Sequence, residues 1–546
     1  MTLQDFYASL IIAGVYTVLM LFASGKFLLA LQQLGYRGHR YYRWLYSKKN
    51  TYRSRIMLLS LLSFLCYLVI GITFADIVPI WLAPYFGFIA PAFFICAYIQ
   101  TERSVNAKIP LKITRRMLRQ ILTYTVVLFA FMLGATCFIT AVSNVFNGVG
   151  GRIFDVLKFS LLSFTPMLAP LLLLVAYGIN RPFEKLNNRR YIEITRKKLA
   201  ESDLVKIGIT GSFGKTSVKE ILSTLLSVKY RVLATPASYN TPLGISVAIK
   251  KLDATHDIFI AEMGAREVGD ISELSKIVQP NIAVLTGVNA QHLESFKNIE
   301  NIKKTKYELF EHLPSNGKAF FDVSNDISLE LSQKFEGEKY LANGEGELLR
   351  ALDVKVSSDG TTFKITDGKE TVQCVTTLIG KHSVKNIMLS AIVAYKIGLS
   401  LSEIACGITR LHSVKHRLEV LPNNKGVTLI DDSYNSNTDG FACALDAIAD
   451  FDGRKIVVTP GIVELGQDQY QTNYEIGKKI ATACNKLVIS AKHNAEALIN
   501  GFVDGGGNRE DIAYKPNFLD AKKFVSEILQ TGDVILFEND LPDIYS

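Results

Sequence analysis

Five apolar runs, at roughly 7–31, 56–75, 78–99, 121–142 and 159–179, crowd into the first third of this 546-residue chain. Each is near the length of about 20 residues that a helix needs to cross the hydrocarbon of a bilayer. Runs of that kind must be kept from water. Residues 1–200 are therefore expected to form an α-helical membrane domain with about five transmembrane helices, although the short spacing between the second and third runs leaves a re-entrant pair open. No basic stretch precedes the first run, which argues against a cleaved signal peptide.

Charge gives those helices a direction. Arg37, Arg40, Arg43, Lys48, Lys49, Arg53 and Arg55 follow the first run, Arg103, Lys108, Lys112, Arg115, Arg116 and Arg119 follow the third, and a further set lies between Arg181 and Lys198. The alternate connections, near Asp76 and over 143–158, carry almost no excess. The positive-inside rule then puts the N-terminus outside and everything after about residue 180 in the cytoplasm, a multi-pass placement in the cell membrane. Residues 1–200 hold 23 Lys/Arg against 6 Asp/Glu, and the rest of the chain holds 37 against 45. The net +9 thus belongs to loops facing anionic lipid, the cytoplasmic part is acidic, and nucleic acid is not an expected partner. The seven cysteines form no Cys-x-x-Cys pair, so neither a disulfide framework nor a zinc site is indicated.

After Val205 the pattern changes to strand-like runs alternating with helical ones: Val205–Thr210, Asp257–Met263, Ile282–Val288, Val427–Asp431, Lys455–Thr459, Lys486–Ser490 and Asp533–Phe537. That alternation predicts α/β layers with mostly parallel strands. A hairpin insertion is expected over about 340–375, around Asp359-Gly360. The first strand runs into Gly208-Ile209-Thr210-Gly211-Ser212-Phe213-Gly214-Lys215-Thr216-Ser217 and then a helix, the order that makes a phosphate-binding loop. Glycines let backbone N–H groups turn onto phosphate oxygens, Lys215 reaches the outer phosphates and the Thr216 hydroxyl can hold Mg²⁺. Gly211, Ser212, Gly214, Lys215, Thr216 and Ser217 are the expected contacts of a nucleoside triphosphate. Three polar clusters follow other strands: Glu262-Met263-Gly264, His292-Leu293-Glu294 and Asp431-Asp432-Ser433-Tyr434-Asn435-Ser436-Asn437. Ligands bind at such strand ends in open α/β sheets.

Taken together these segments resemble the Mur ligases of cell-wall synthesis, and within them the MurF type. Thr210 to Thr216 is similar to the family's shortened phosphate loop. Ser238 to Ile245, Glu262-Met263-Gly264, His292-Leu293-Glu294, Lys306-Tyr307-Glu308 and Gly380-Lys381-His382-Ser383-Val384-Lys385-Asn386 look like its successive central-domain motifs, and Arg417 with Asp431 to Asn437 looks like its link and first C-terminal motif. The resemblance implies a P-loop central domain over 201–415 and a smaller Rossmann-like α/β domain over 416–546. It implies ATP and Mg²⁺ as cofactors, Thr216, Glu262 and His292 as metal ligands, and Lys306 as a carbamylated lysine. Asn386, Arg417 and Asp432 would lie near the nucleotide, and Lys215, Lys306, His292 and Arg417 would be catalytic.

Departures from the family pattern fall on substrate recognition. Its first domain, which takes a UDP-linked muramyl peptide, has no counterpart here. Its terminal Lys-Gly-Ser-Arg is replaced by Phe537-Glu538-Asn539-Asp540. The expectation is a membrane-anchored ATP-dependent ligase that activates a carboxylate as an acyl phosphate and joins it to an amine or hydroxyl on a lipid-linked acidic glycan or wall precursor. A UDP-muramoyl-tripeptide–D-alanyl-D-alanine ligase with a membrane anchor, and an ATPase-coupled transporter or sensor, are the alternatives. The scarcity of charge inside the five runs speaks against transport.

Overall fold

A computed structural model describes residues 2–46, scattered positions between 58 and 69, 111–143, 145, 165–289, 296–357, 359–422, 426–433, 438–449, 451–463, 465 and 468–538. The described residues fall into two compact units divided at Asn187/Asn188. In the first unit, α1 (Leu3–Ala23) starts from a reciprocal cap in which Asp5 N–H donates to Thr2 Oγ1 and Thr2 N–H donates to Asp5 Oδ2. Two short helices follow, α2 (Gly25–Gln33) and α3 (Gly38–Leu45). Next come α4 (Arg115–Ser143) and α5 (Thr165–Ala200), the latter with Pro170 and Pro182 inside it and its residues from Asn188 onward counted in the second unit. α1 lies against α4, burying Ala13, Tyr16, Met20, Tyr124, Leu128 and Met132, while Ile11, Val18, Phe22, Leu122, Val126 and Phe138 face outward.

Two helices, Leu3–Ala23 and Arg115–Val142, are long and apolar enough to cross a membrane, and only 28% and 22% of their apolar windows are buried within the protein. An apolar face left outward over that length is unusual for a surface in water. The expected spans at 56–75 and 78–99 lie almost wholly outside the described residues, as does the start of the fifth.

The second unit is built on two six-stranded sheets. The first has the order β2-β3-β1-β4-β5-β6, from β1 (Val205–Thr210), β2 (Val232–Ala234), β3 (Ile258–Glu262), β4 (Ile282–Leu285), β5 (Lys318–Asp322) and β6 (Glu338–Ala342), and every neighbouring pair is parallel. Such strands read as continuous apolar runs because helices cover both faces. Phe259, Ala283, Leu285, Ala319 and Phe321 pack into one layer and Ile207, Ile209, Ile258, Val284 and Phe320 into the other. β1 lies inside the sheet, so its carboxyl end opens between two neighbours. That is where α6 (Lys215–Leu226) begins; α7 (Pro242–Ile249), α8 (Asp270–Val278), α9 (Ile299–Glu311), α10 (Asp326–Lys334) and α11 (Lys381–Ile397) follow it along the chain.

The hairpin expected near 340–375 is a three-stranded antiparallel sheet, β7 (Arg350–Ser357), β8 (Gly360–Thr366) and β9 (Thr371–Thr376). At Gly360, φ +133°, a Cβ would stand 2.1 Å from the Thr376 carbonyl oxygen, so only glycine fits the turn. The second large sheet has the order β10-β11-β15-β12-β13-β14, from β10 (Glu419–Leu421), β11 (Thr428–Asp432), β12 (Lys455–Thr459), β13 (Lys486–Ile489), β14 (Ile512–Tyr514) and β15 (Val534–Glu538). Only β10 runs antiparallel to its neighbour.

Candidate active site

The phosphate loop is held open from below by its own sheet. Thr286, just past β4, donates from its N–H to Thr210 O and from its hydroxyl to Phe213 O, and Ser212 N–H donates to Gly287 O at 2.7 Å. A Cβ on Gly211 would lie 2.2 Å from the Thr286 hydroxyl oxygen, which is the steric reason for that glycine. Gly214 turns left-handed, φ +77°, to start α6, and a Cβ there would meet Asn386 Oδ1 at 3.2 Å. Asn386 sits on α11 (Lys381–Ile397), which packs along α6, so that residue stands beside the mouth of the loop. The face of α6 that packs on this core carries Val218, Ile221, Leu222, Leu225 and Leu226, and it leaves Lys215, Thr216 and Ser217 on the first turn at the strand ends. Ser217 is half-buried there.

Charges converge on that turn. The Lys215 ammonium donates to the carbonyls of Gly211 and Ser212, at 2.6 and 3.0 Å. Burial pushes Lys215 down to about 8; Arg417 acts in the same direction and Glu262 against it. Arg417 Nη2 donates to Thr216 Oγ1 at 3.4 Å, bringing the link residue onto the nucleotide loop. Glu262 closes β3 with 1% of its surface exposed. Its Oε1 accepts from Asn240 Nδ2 at 3.2 Å; Oε2 has no hydrogen-bond donor among the described residues and lies 3.7 Å from Lys219 Nζ. A fully buried carboxylate oxygen with free lone pairs suits a hard divalent cation, and the Thr216 hydroxyl is a compatible oxygen donor on the loop. The residues present therefore fit Mg²⁺.

Lys306 sits in α9 (Ile299–Glu311), a helix started by the Asn298 side chain accepting from Asn301 N–H. Amphipathic spacing alone would leave this lysine on the surface, but it is 3% exposed. Burial first, then Lys215, hold it well below the ordinary lysine range, with Asp270 and Glu308 opposing. Glu308 in turn fixes the start of α8 (Asp270–Val278) by accepting from Gly269 N–H and Ser272 N–H. Asp432, at the end of β11, accepts from Leu418 N–H at 3.1 Å. Burial raises its carboxyl, the charge of Asp431 adds to that, and a hydrogen bond with Glu538 opposes. Glu538 is its register partner on β15 and is fully buried. The acid that stands in place of a basic substrate loop is thus part of the sheet's end. His292 lies outside the described residues, as do 434–437 and 539–540.

Three residues of this neighbourhood, Lys219, Thr286 and His416, lie outside every motif legible in the sequence. Asn240 lies within the Ser238 to Ile245 motif, and Thr286 within the strand run Ile282–Val288. His416 adopts a left-handed backbone, φ +62°, pairs through Nδ1 with Asp431 Oδ2 at 2.7 Å and donates its N–H to Glu419. It thereby shapes the link next to Arg417.

The family model of the Mur ligase middle domain matches residues 209–394, and that of the Mur ligase glutamate ligase domain matches 416–538. A Synechocystis UDP-N-acetylmuramoyl-tripeptide–D-alanyl-D-alanine ligase is 30% identical over 335 residues, 61% of this chain and 71% of the relative. This chain belongs to the Mur ligase family. It is accordingly an ATP-dependent, amide-bond-forming ligase. The Escherichia coli enzyme of the same name is 28% identical over 331 residues, 60% of this chain and 73% of that one. Among solved structures, the MurF ligase of Thermotoga maritima in complex with ADP aligns with TM-score 0.59 and 26% identity, over 65% of this chain and 81% of that one. MurF from Acinetobacter baumannii aligns with TM-score 0.60 at 24% identity, a likeness of fold, over 65% and 77%.

Proposed function

We propose that this Mur ligase activates a carboxylate on a membrane-proximal, acidic cell-envelope precursor and joins it to an amine. The observation that carries the membrane-proximal part is the unit preceding the matched regions, whose α1 and α4 turn long apolar faces outward. When bound, Mg²⁺·ATP supplies the phosphoryl group that makes the carboxylate an acyl phosphate. The chain's own residues do the rest. The loop N–H groups and Lys215 hold the outer phosphates, Thr216 and Glu262 offer oxygens to the cation, and Arg417 reaches the same turn from the link to balance charge in transfer. Asn386 and Asp432 flank the remainder of the nucleotide.

Lys306 supports this reading by its chemistry. An amine held neutral by burial can add CO₂ and lose a proton, giving a carbamate whose negative charge orients a cation beside the reacting carboxylate. His292 joins the set through the family motif it shares. Membrane lipid is the remaining partner, with the catalytic unit on the cytoplasmic side.

A second reading is favoured by the relatives: ligation of D-alanyl-D-alanine to soluble UDP-muramoyl tripeptide, with the helices as an anchor. One experiment separates them. Purified full-length protein is given ATP with either the soluble UDP substrate and dipeptide, or a membrane extract holding lipid-linked acidic glycans and an amino compound. Phosphate release and ligated product are expected only with the extract. Robust turnover of the soluble pair would overturn the proposal in favour of the anchored enzyme.

A further inference from the structure

Lys219 lies one helical turn beyond Lys215 on α6, on the same side of the helix, and is completely buried. Its ammonium donates to the carbonyl oxygens of Thr235, at 2.8 Å, and Ala237, and it pairs with Glu220 at 3.0 Å and Glu262 at 3.7 Å. A buried ammonium is strongly disfavoured unless oxygen surrounds it, and a methionine would fill the same volume without that penalty. The charge therefore needs a reason beyond packing. Two of its three donors serve those carbonyls and the third faces the Glu220 and Glu262 carboxylates, so it has none left for a phosphate.

The oxygens that Lys219 holds belong to one assembly. Thr235 donates its N–H to Ile260 O and accepts through its hydroxyl from Glu262 N–H. Ala237 sits in the left-handed region, φ +45°, a strained setting for a residue with a Cβ, and the lysine fixes the carbonyl that this turn presents. Three residues further on, Asn240 holds Glu262 Oε1, and its backbone oxygen accepts from Gly264 N–H. A Cβ on Gly264 would lie 2.7 Å from the Asn240 carboxamide, so the strand end and this segment are in close contact. The Glu262 carboxylate is thereby gripped from two sides. Asn240 binds one oxygen, and Lys219 attracts the other from beyond hydrogen-bond reach, which leaves its lone pairs free.

We propose that Lys219 is the positioning residue for the Glu262 carboxylate: an internal counter-charge that keeps Oε2 aimed at a divalent cation without touching nucleotide or cation. The inference rests on Glu262 being a cation ligand. Partners that orient a metal ligand from behind govern affinity for the metal, by about tenfold to a hundredfold when removed.

The test uses full-length protein and follows the thermal-unfolding midpoint with ADP, with and without Mg²⁺, in wild type, Lys219→Met, Lys219→Gln and Glu262→Gln. Lys219→Gln keeps donors for the two carbonyls and removes the charge, so it remains informative where Lys219→Met fails to fold. Both Lys219 variants are expected to keep the midpoint rise given by ADP alone and to need about tenfold more Mg²⁺ or higher for half of the additional rise. In turnover, KM for Mg²⁺ should rise in step while kcat at saturating Mg²⁺ changes little. A folded Lys219→Gln with the wild-type Mg²⁺ requirement overturns the proposal, and so does equal loss of the ADP-only rise, which would mark a general structural role. If Glu262→Gln loses the Mg²⁺ increment while the Lys219 variants keep it, the positioning role alone fails. If Glu262→Gln keeps it, the reading of Glu262 fails.

Discussion

Lys215 makes the pH behaviour of nucleotide binding predictable. With burial holding it near 8 in the free protein, the ammonium form that triphosphate needs is fully populated below that pH and is lost as pH rises through it. Affinity for ATP should be flat below pH 8 and fall above it, approaching about tenfold per pH unit, with a proton taken up on binding at pH 9. Calorimetry in two buffers of different ionisation enthalpy measures that proton; no uptake at pH 9 would contradict the shift. The Asp432–Glu538 pair gives stability itself a pH dependence. A carboxyl raised by burial favours the fold at low pH, and that contribution disappears as pH climbs through its folded value. Glu538→Gln removes one of the two facing charges, so it should unfold at a higher temperature than wild type at pH 8, with the gap closing towards pH 5. A gap of equal size at both pH values would show that packing, not charge, sets it.

At the scale of elements, strands were legible where they are buried on both faces and helices where a glycine turn introduces them. β1, β3, β4, β12, β13 and β15 match their apolar runs to within two or three residues because central parallel strands leave no polar alternation. The strands of three residues, β2, β10 and β14, gave no period to detect, and the insertion grew from a hairpin to three strands because β9 carries an ordinary mixed pattern. The glycine turn between β1 and α6 and the place of Glu262 at the end of β3 were legible from spacing. Lys219 and the burial of Lys306 were not, since a lysine in a helix reads as a solvated face until the second layer covers it. α9 depends on its cap for the position of Lys306. Asn298→Ala should cost about 1 kcal/mol, or about 2 °C in the unfolding midpoint for a unit of this size. Phosphate release should fall with it if the helix start also sets Lys306, and differential scanning with an ATPase assay reads both.

For the whole molecule, the proposed membrane placement makes one demand of direction: the nucleotide loop must end on the side where ATP is available. In the proposed multi-pass placement the basic residues of 37–55 and 103–119 and the nearly neutral stretch of 143–158 would set the sign; Glu184, paired with Arg116 and Arg119, answers part of the basic excess within the first unit. That pairing weakens the charge rule only locally. An odd number of crossings is needed to start outside and end inside; the two described helices qualify by length and apolarity, and the remaining spans are carried by the sequence alone. Single cysteines placed over 35–55 and 100–120 in an otherwise cysteine-free protein should be protected from an impermeant thiol reagent in intact cells. Those over 143–158 should react, and a cysteine in the phosphate-loop unit should react only after the cells are opened. The reverse pattern would place Lys215 and Glu262 where no ATP is available, and the charge asymmetry would then be serving lipid contacts with no say in orientation.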